Sequence, residues 1–122
     1  MRKRVLNYYD NDPLVKVTLI NPILNKRETA CAYLDTGSDA IVIPRDLWER
    51  LGLKEEYRTF VSAVNSTGVG WYTFIDLEFF GNKHRDVEVF YNEVAGDMLI
   101  GRNVLDEYSV TFDGRNSKLY IE

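Results

Sequence analysis

The amino-acid sequence predicts a mostly β fold, a small closed barrel with two short helices. Three observations carry that expectation. Apolar and polar residues alternate over segment after segment, and Gly, Pro, Asn and Asp punctuate the segments. Only two stretches have helical spacing, one opened by Pro44 and one following Gly101. With 122 residues, 45% of them hydrophobic, the chain makes one domain with a real but modest core.

Residues 1–13 mix Tyr8 and Tyr9 with Asp10, Asn11 and Asp12 and show no clear period, so they read as a loose N-terminal arm, with a terminal strand as the alternative, on a domain of residues 14–122. Val15 to Leu19 alternates cleanly, predicting a half-buried strand that stops at the turn-forming pair Asn21-Pro22. The next strand, from about Arg27 to Leu34, ends abruptly in Asp35-Thr36-Gly37-Ser38. It delivers an acid to a tight turn, where Gly37 allows a close approach that a side chain would forbid. After Asp39, Ala40 to Ile43 resumes a buried strand. Pro44 then opens a helix from Arg45 to Leu51, closed by Gly52, with Leu47, Trp48 and Leu51 on its core face.

Strands near 57–64 and 71–80 flank Asn65-Ser66-Thr67-Gly68-Val69-Gly70, predicting a hairpin with a glycine-containing tip. Gly81 to His84 reads as a turn that leaves His84 in solvent. Alternation returns from His84 to Tyr91, and 93–97 is a connecting loop. Met98-Leu99-Ile100 then repeats the earlier logic: an apolar strand, a glycine (Gly101), and a helical segment from Arg102 to Tyr108. Val110 and Phe112 form a strand that turns at Asp113-Gly114 into Lys118 to Ile121.

Composition narrows the function. A net charge of −4 and a pI near 5.0 argue against a nucleic-acid or anionic-membrane partner. There is neither an apolar run of about 18 residues nor a signal-peptide pattern, so the expectation is a cytoplasmic chain. Cys31 is the only cysteine and suits a small buried hydrophobe, and His84 is the only histidine. A metal site of His or Cys type is therefore not available, and no cofactor is expected.

The Asp35-Thr36-Gly37 loop and the Leu99-Ile100-Gly101 segment together resemble the retropepsin-like aspartic proteases, in which a D-T-G loop is crossed by a second strand ending in two apolar residues and Gly. The resemblance covers roughly Tyr33 to Phe112 and implies an acid-protease barrel with one lobe per subunit. It implies peptide-bond hydrolysis by two aspartates that share one proton, one accepting a proton from water while the other donates to the carbonyl. A single D-T-G then requires a homodimer, whose two-fold axis brings the motif to itself.

By the same resemblance Asp35 is the catalytic acid/base, Thr36 braces the loop across the dimer axis, and Gly37 offers its N–H near the carboxylates and its carbonyl to a peptide or unfolded-protein substrate. Ser38 is similar to the serine of pepsin-like members, and its hydroxyl is expected to donate to the Asp35 carboxylate; it and Asp39 border the substrate. Asp39 and Arg102 match a family pair that bridges the two motifs, supported by Leu99, Ile100 and Gly101, and the pair is expected to be partly buried. Ala40 stands where retroviral members often carry a second acid. Ser66, Thr67, Gly68, Val69 and Gly70 occupy the place of the flap that closes over bound peptide. Retroviral proteases end soon after the second helix with one strand that interleaves with the partner subunit, whereas this chain closes with a hairpin. An aspartyl-nucleophile phosphatase would want a second acid where Gly37 stands. The rival reading is a binding or dimerisation module that keeps the fold without proteolysis.

Overall fold

The computed structural model describes residues 4–9, 11–63, 66–92 and 97–122, with the main chain alone for residues 61–63, 66, 67 and 92. The described residues form, in chain order, β1 (Arg4–Asn7), β2 (Leu14–Asn21), β3 (Lys26–Leu34), β4 (Ile41–Pro44), α1 (Arg45–Arg50), β5 (Tyr57–Ala63) and β6 (Ser66–Phe79). They continue with β7 (Asn82–Asn92), β8 (Met98–Ile100), α2 (Arg102–Leu105), β9 (Val110–Asp113) and β10 (Lys118–Ile121).

Alternation in β2 and β3 sends Val15, Val17 and Leu19, then Ala32 and Leu34, inward, and their polar neighbours outward. The main sheet runs β2-β3-β8-β4-β7-β6-β5, and β2 also pairs with β6 through Leu19↔Leu77 and its neighbours. That pairing closes six strands into a barrel and leaves β5 outside it on β6. Ile41, Ile43, Ile75, Leu77, Phe79, Val89, Met98 and Ile100 fill the interior, so the fold is the mostly β barrel with two short helices that the alternation implies.

Pro44, at the N-cap of α1, cannot donate a backbone hydrogen bond and carries a φ already suited to a helix entrance. Leu47, Trp48 and Leu51 are buried beneath the helix as expected. The buried Asn21 side chain donates to the Leu51 carbonyl at 2.9 Å, tying the β2–β3 turn to the end of α1.

Two boundaries differ from the alternation reading. Residues 66–70, expected as a loop, belong to β6 and pair with β5 from Val61↔Gly68 to Thr59↔Gly70, because the β-prone partner supplies a full ladder to the glycines. The turn expected around Gly81 to His84 is a two-residue connection at Phe80 and Gly81, with φ of 52° and 76°, and β7 already starts at Asn82. Arg4–Asn7 forms a strand in a second sheet of order β1-β10-β9, whose buried Leu119 and Ile121 join the barrel core.

Candidate active site

Asp35 sits immediately beyond the last residue of β3, half-buried, while its neighbour Leu34 points into the core. Strand β8 fixes that position. It lies between β3, which it meets in parallel through Leu34↔Ile100, and β4, which it meets at Val42↔Leu99. The Asp35 N–H donates to the Ile100 carbonyl at 2.9 Å, extending the ladder by one residue into the turn. The turn closes locally: the Ser38 N–H donates to the Asp35 carbonyl at 3.2 Å, and the Gly37 N–H donates to Asp35 Oδ1 at 2.8 Å. A Cβ on Gly37 would stand 3.1 Å from that oxygen, so the absent side chain leaves the carboxylate room. Thr36 and Gly37 are exposed at the top of the turn.

Gly101 is the keystone beneath the loop. A Cβ there would lie 2.5 Å from the carbonyl oxygens of both Ser38 and Ala40 and 2.6 Å from the Ala40 nitrogen. Those are backbone atoms that cannot give way, so only glycine lets β8 and α2 pass this close to the acid loop. The contact gives α2 partners for its otherwise orphan N-terminal donors. Arg102 N–H donates to the Ser38 carbonyl at 2.8 Å, and Asn103 N–H donates to the Asp39 carbonyl at 3.2 Å. Asn103 Nδ2 also reaches the Glu88 carbonyl at 3.1 Å, anchoring α2 to β7.

The structure therefore brings Asp35, Thr36, Gly37, Ser38 and Asp39 together with Leu99, Ile100, Gly101 and Arg102. Arg102 and Asp39 form an ion pair, and the hydrogen bond from the guanidinium raises the Arg102 pKa. Their side chains are 52% and 84% exposed, so in a single chain the pair lies on the surface and not in the partly buried position expected of it. A second expectation is also corrected. The Ser38 hydroxyl donates to the Ala40 carbonyl at 2.7 Å and not to the Asp35 carboxylate. The tight turn aims Ser38 down its own loop, and Gly37 N–H takes the place at Oδ1.

Gly68, Val69 and Gly70, and the main chain of Ser66 and Thr67, are paired with β5 and not with the Asp35 loop. The expected tip residue Asn65 lies outside the described residues. Val69 and its cross-strand partner Phe60 occupy the face that, further along β6, turns Thr73 and Ile75 into the core. On the hairpin that face is open, with Phe60 81% exposed.

Sequence reasoning missed a polar cluster on the barrel wall. His84 is not solvent-exposed. Its Nδ1 lies 2.9 Å from Glu107 Oε2 and its Nε2 lies 2.6 Å from Tyr108 Oη, which also accepts from Asn82 Nδ2 at 3.0 Å. Burial pushes the Tyr108 hydroxyl pKa up. Nearer the acid loop, desolvation and the carboxylates of Asp12 and Asp97 push up the Tyr33 pKa, and the hydrogen bond that the Tyr33 hydroxyl donates to Asp12 adds to the effect. The partners come from residues far apart in sequence, so no short-range pattern marks them. Among the described residues no group of three or more His, Cys, Asp or Glu side chains is arranged to hold a metal ion.

The family profile described as aspartyl protease matches residues 20–104, which spans both the acid loop and its supporting strand. The solved structure of a retropepsin-like aspartic protease from Rickettsia conorii is similar over 98% of this chain and 89% of its own, with a TM-score of 0.70 and 13% identity. The EIAV protease in complex with the inhibitor HBY-793 is similar over 78% of this chain and 86% of its own, with a TM-score of 0.58 and 19% identity. The simian foamy virus protease solution structure is similar over 76% and 91%, with a TM-score of 0.57 and 11% identity. At these identities the likeness is one of fold. No curated protein sequence matches the chain.

Proposed function

The chain belongs to the aspartyl protease family, and from that premise we propose that it is an endopeptidase whose active site is completed by a second identical copy. The observation that carries this reading is the pinned Asp35. Its carboxylate stands at the rim of the barrel, bonded to the Gly37 N–H at 2.8 Å and held from below by a strand and helix that admit only glycine at 101.

Two such loops facing each other about a two-fold axis place two carboxylates side by side. Like charges that close cannot both ionise cheaply, so the pair holds one proton between them. The ionised Asp35 takes a proton from a water molecule poised against the scissile carbonyl. The protonated Asp35 of the other copy donates to that carbonyl oxygen, giving a tetrahedral diol; as the C–N bond breaks, the first Asp35 passes the water's proton to the departing nitrogen and the diol returns a proton to the second, restoring the dyad. Thr36 braces the paired loops across the axis. Gly37, Ser38 and Asp39 border an extended peptide or unfolded segment, in the cytoplasm on this reading, and Leu99, Ile100, Gly101 and Arg102 support the loop. The β5–β6 hairpin, with Ser66, Thr67, Gly68, Val69 and Gly70 on one arm, serves as the flap, and its open apolar face at Phe60 and Val69 suits closure over substrate.

Cleavage of an unstructured peptide library, blocked by a statine-type transition-state mimic, tests the reading. The competing possibility of a non-catalytic binding module predicts binding without cleavage. Activity against pH should be bell-shaped with its maximum on the acidic side of neutrality, because one carboxylate must be ionised and the other protonated.

A further inference from the structure

His84 lies on the core side of β7, directly opposite the fully buried Leu77. Its ring meets Phe79 edge-on, with centroids 6.3 Å apart, and Tyr108 at 5.6 Å, and its side chain is only 12% exposed. Both nitrogens are engaged by the segment that follows α2, Nδ1 by Glu107 and Nε2 by Tyr108. A carboxylate only accepts, so Nδ1 carries a proton, and the Tyr108 hydroxyl can donate to Nε2 while accepting from Asn82. A buried imidazole held on both sides is a fixed post, and the proton transfers assigned to Asp35 do not use it.

The post holds the back of α2. That helix is 4 residues long, too short to keep its place by helix formation alone. Its front is fastened to the acid loop by the Arg102 and Asn103 N–H groups. From Val104 to Tyr108 every N–H donates back into the turn, to the carbonyls of Gly101, Arg102, Val104 and Leu105, so front and back form one piece. Along one flank lies a cavity of about 420 Å³ bounded by Phe74, His84, Glu88, Asn103 and Glu107. Packing leaves that side of α2 open. A swing toward it is opposed by the bonds to His84 at the back and by the Asn103 bond to the Glu88 carbonyl at the front.

Resting on the reading of Asp35 as the acid of an endopeptidase, we propose that His84 is a positioning residue for that acid. By holding Glu107 and Tyr108 it fixes the set of α2 and, through the Arg102 and Asn103 amides, the orientation of the loop that carries Asp35. The link is a continuous run of hydrogen bonds from the barrel wall to the Ser38 and Asp39 carbonyls. A small displacement at the loop is enough to matter, because the carboxylate must meet water and substrate in a narrow range of geometry.

His84→Phe keeps a ring to pack against Phe79 and removes both nitrogens. Amide hydrogen exchange followed by NMR should show the Arg102 and Asn103 N–H groups exchanging on the order of tenfold faster, with the amides of β2 unchanged as an internal reference. Assayed at a protein concentration that saturates specific activity, kcat should fall roughly tenfold or more while KM stays at its wild-type value. His84→Gln, which retains one donor and one acceptor, should recover part of both losses. Exchange that is unchanged at Arg102 and Asn103, or that rises equally throughout β2, would overturn the positioning role whether or not the chain cleaves peptide. So would a His84→Phe enzyme with the kcat of the wild type. Faster exchange confined to Arg102 and Asn103, in a protein whose wild type cleaves no peptide, would support the link from His84 to the loop and overturn the endopeptidase reading alone.

Discussion

Arg102 donates its main-chain N–H to the Ser38 carbonyl at 2.8 Å while its side chain pairs with Asp39, so one residue holds the acid loop in two chemically separate ways. The main-chain bond depends on Gly101, which lets the two segments touch. The ion pair is at the surface.

Gly101→Ala should be among the most damaging single-methyl changes in the chain. The added carbon meets three backbone atoms at 2.5–2.6 Å, so the loop or α2 must move. Overpacking costs typically about 1–3 kcal/mol, and here the strain falls on the Ser38 and Ala40 backbone of the loop that carries Asp35. Thermal denaturation should show a clear loss of stability, and activity should fall further than stability does. An unperturbed midpoint with full activity would contradict the close packing.

Arg102→Ala should separate the two roles. The backbone bond survives the substitution, and the exposed pair is screened, so the isolated chain should lose little stability, and that loss should vanish in high salt. A large, salt-independent loss in the isolated chain would contradict the surface placement of the pair.

Ser38→Ala removes the 2.7 Å bond to the Ala40 carbonyl, a part-buried interaction worth about 0.5–1.5 kcal/mol. Both limbs of the activity profile against pH should stay where they are, because the hydroxyl is turned away from the Asp35 carboxylate. Movement of either limb would show that the serine reorients toward the acid.

Tyr33 and Tyr108 both have pKa values raised above the ordinary 10.0. In the unfolded chain these hydroxyls ionise first, so the unfolded state loses protons that the folded state keeps. Stability from this source is therefore fully present below about pH 10 and lost as pH rises through the folded values. Tyr108→Phe should flatten part of that alkaline decline in a denaturation series across pH 9 to 11. It should also cost about 1 kcal/mol at neutral pH, through the lost bonds with Asn82 and His84. An alkaline slope unchanged by the substitution would contradict the assignment to Tyr108.

The parts of the fold that were legible in the sequence are those with a local cause. Asp35 at the end of an apolar strand, Gly101 after Leu99 and Ile100, and Pro44 ahead of a helix with Leu47 and Trp48 inward all follow from spacing and backbone chemistry. Three features do not. His84 is held by Glu107 and Tyr108, more than twenty residues away, and nothing around Gly81 announces them. Gly68 and Gly70 read as loop residues but are kept in β6 by the ladder with β5. The Ser38 hydroxyl had two acceptors within reach on chemical grounds, and only the shape of the turn selects the Ala40 carbonyl.

Asp35→Asn is the most direct test of the account. The amide keeps the size of the carboxylate and an oxygen to accept the Gly37 N–H, so fold and dimer should persist by circular dichroism and sedimentation. It cannot shuttle a proton. Assayed on a peptide that the wild-type protein cleaves, the variant should show no turnover above background. Turnover like that of the wild type by a folded Asp35→Asn protein would contradict the catalytic assignment of this loop.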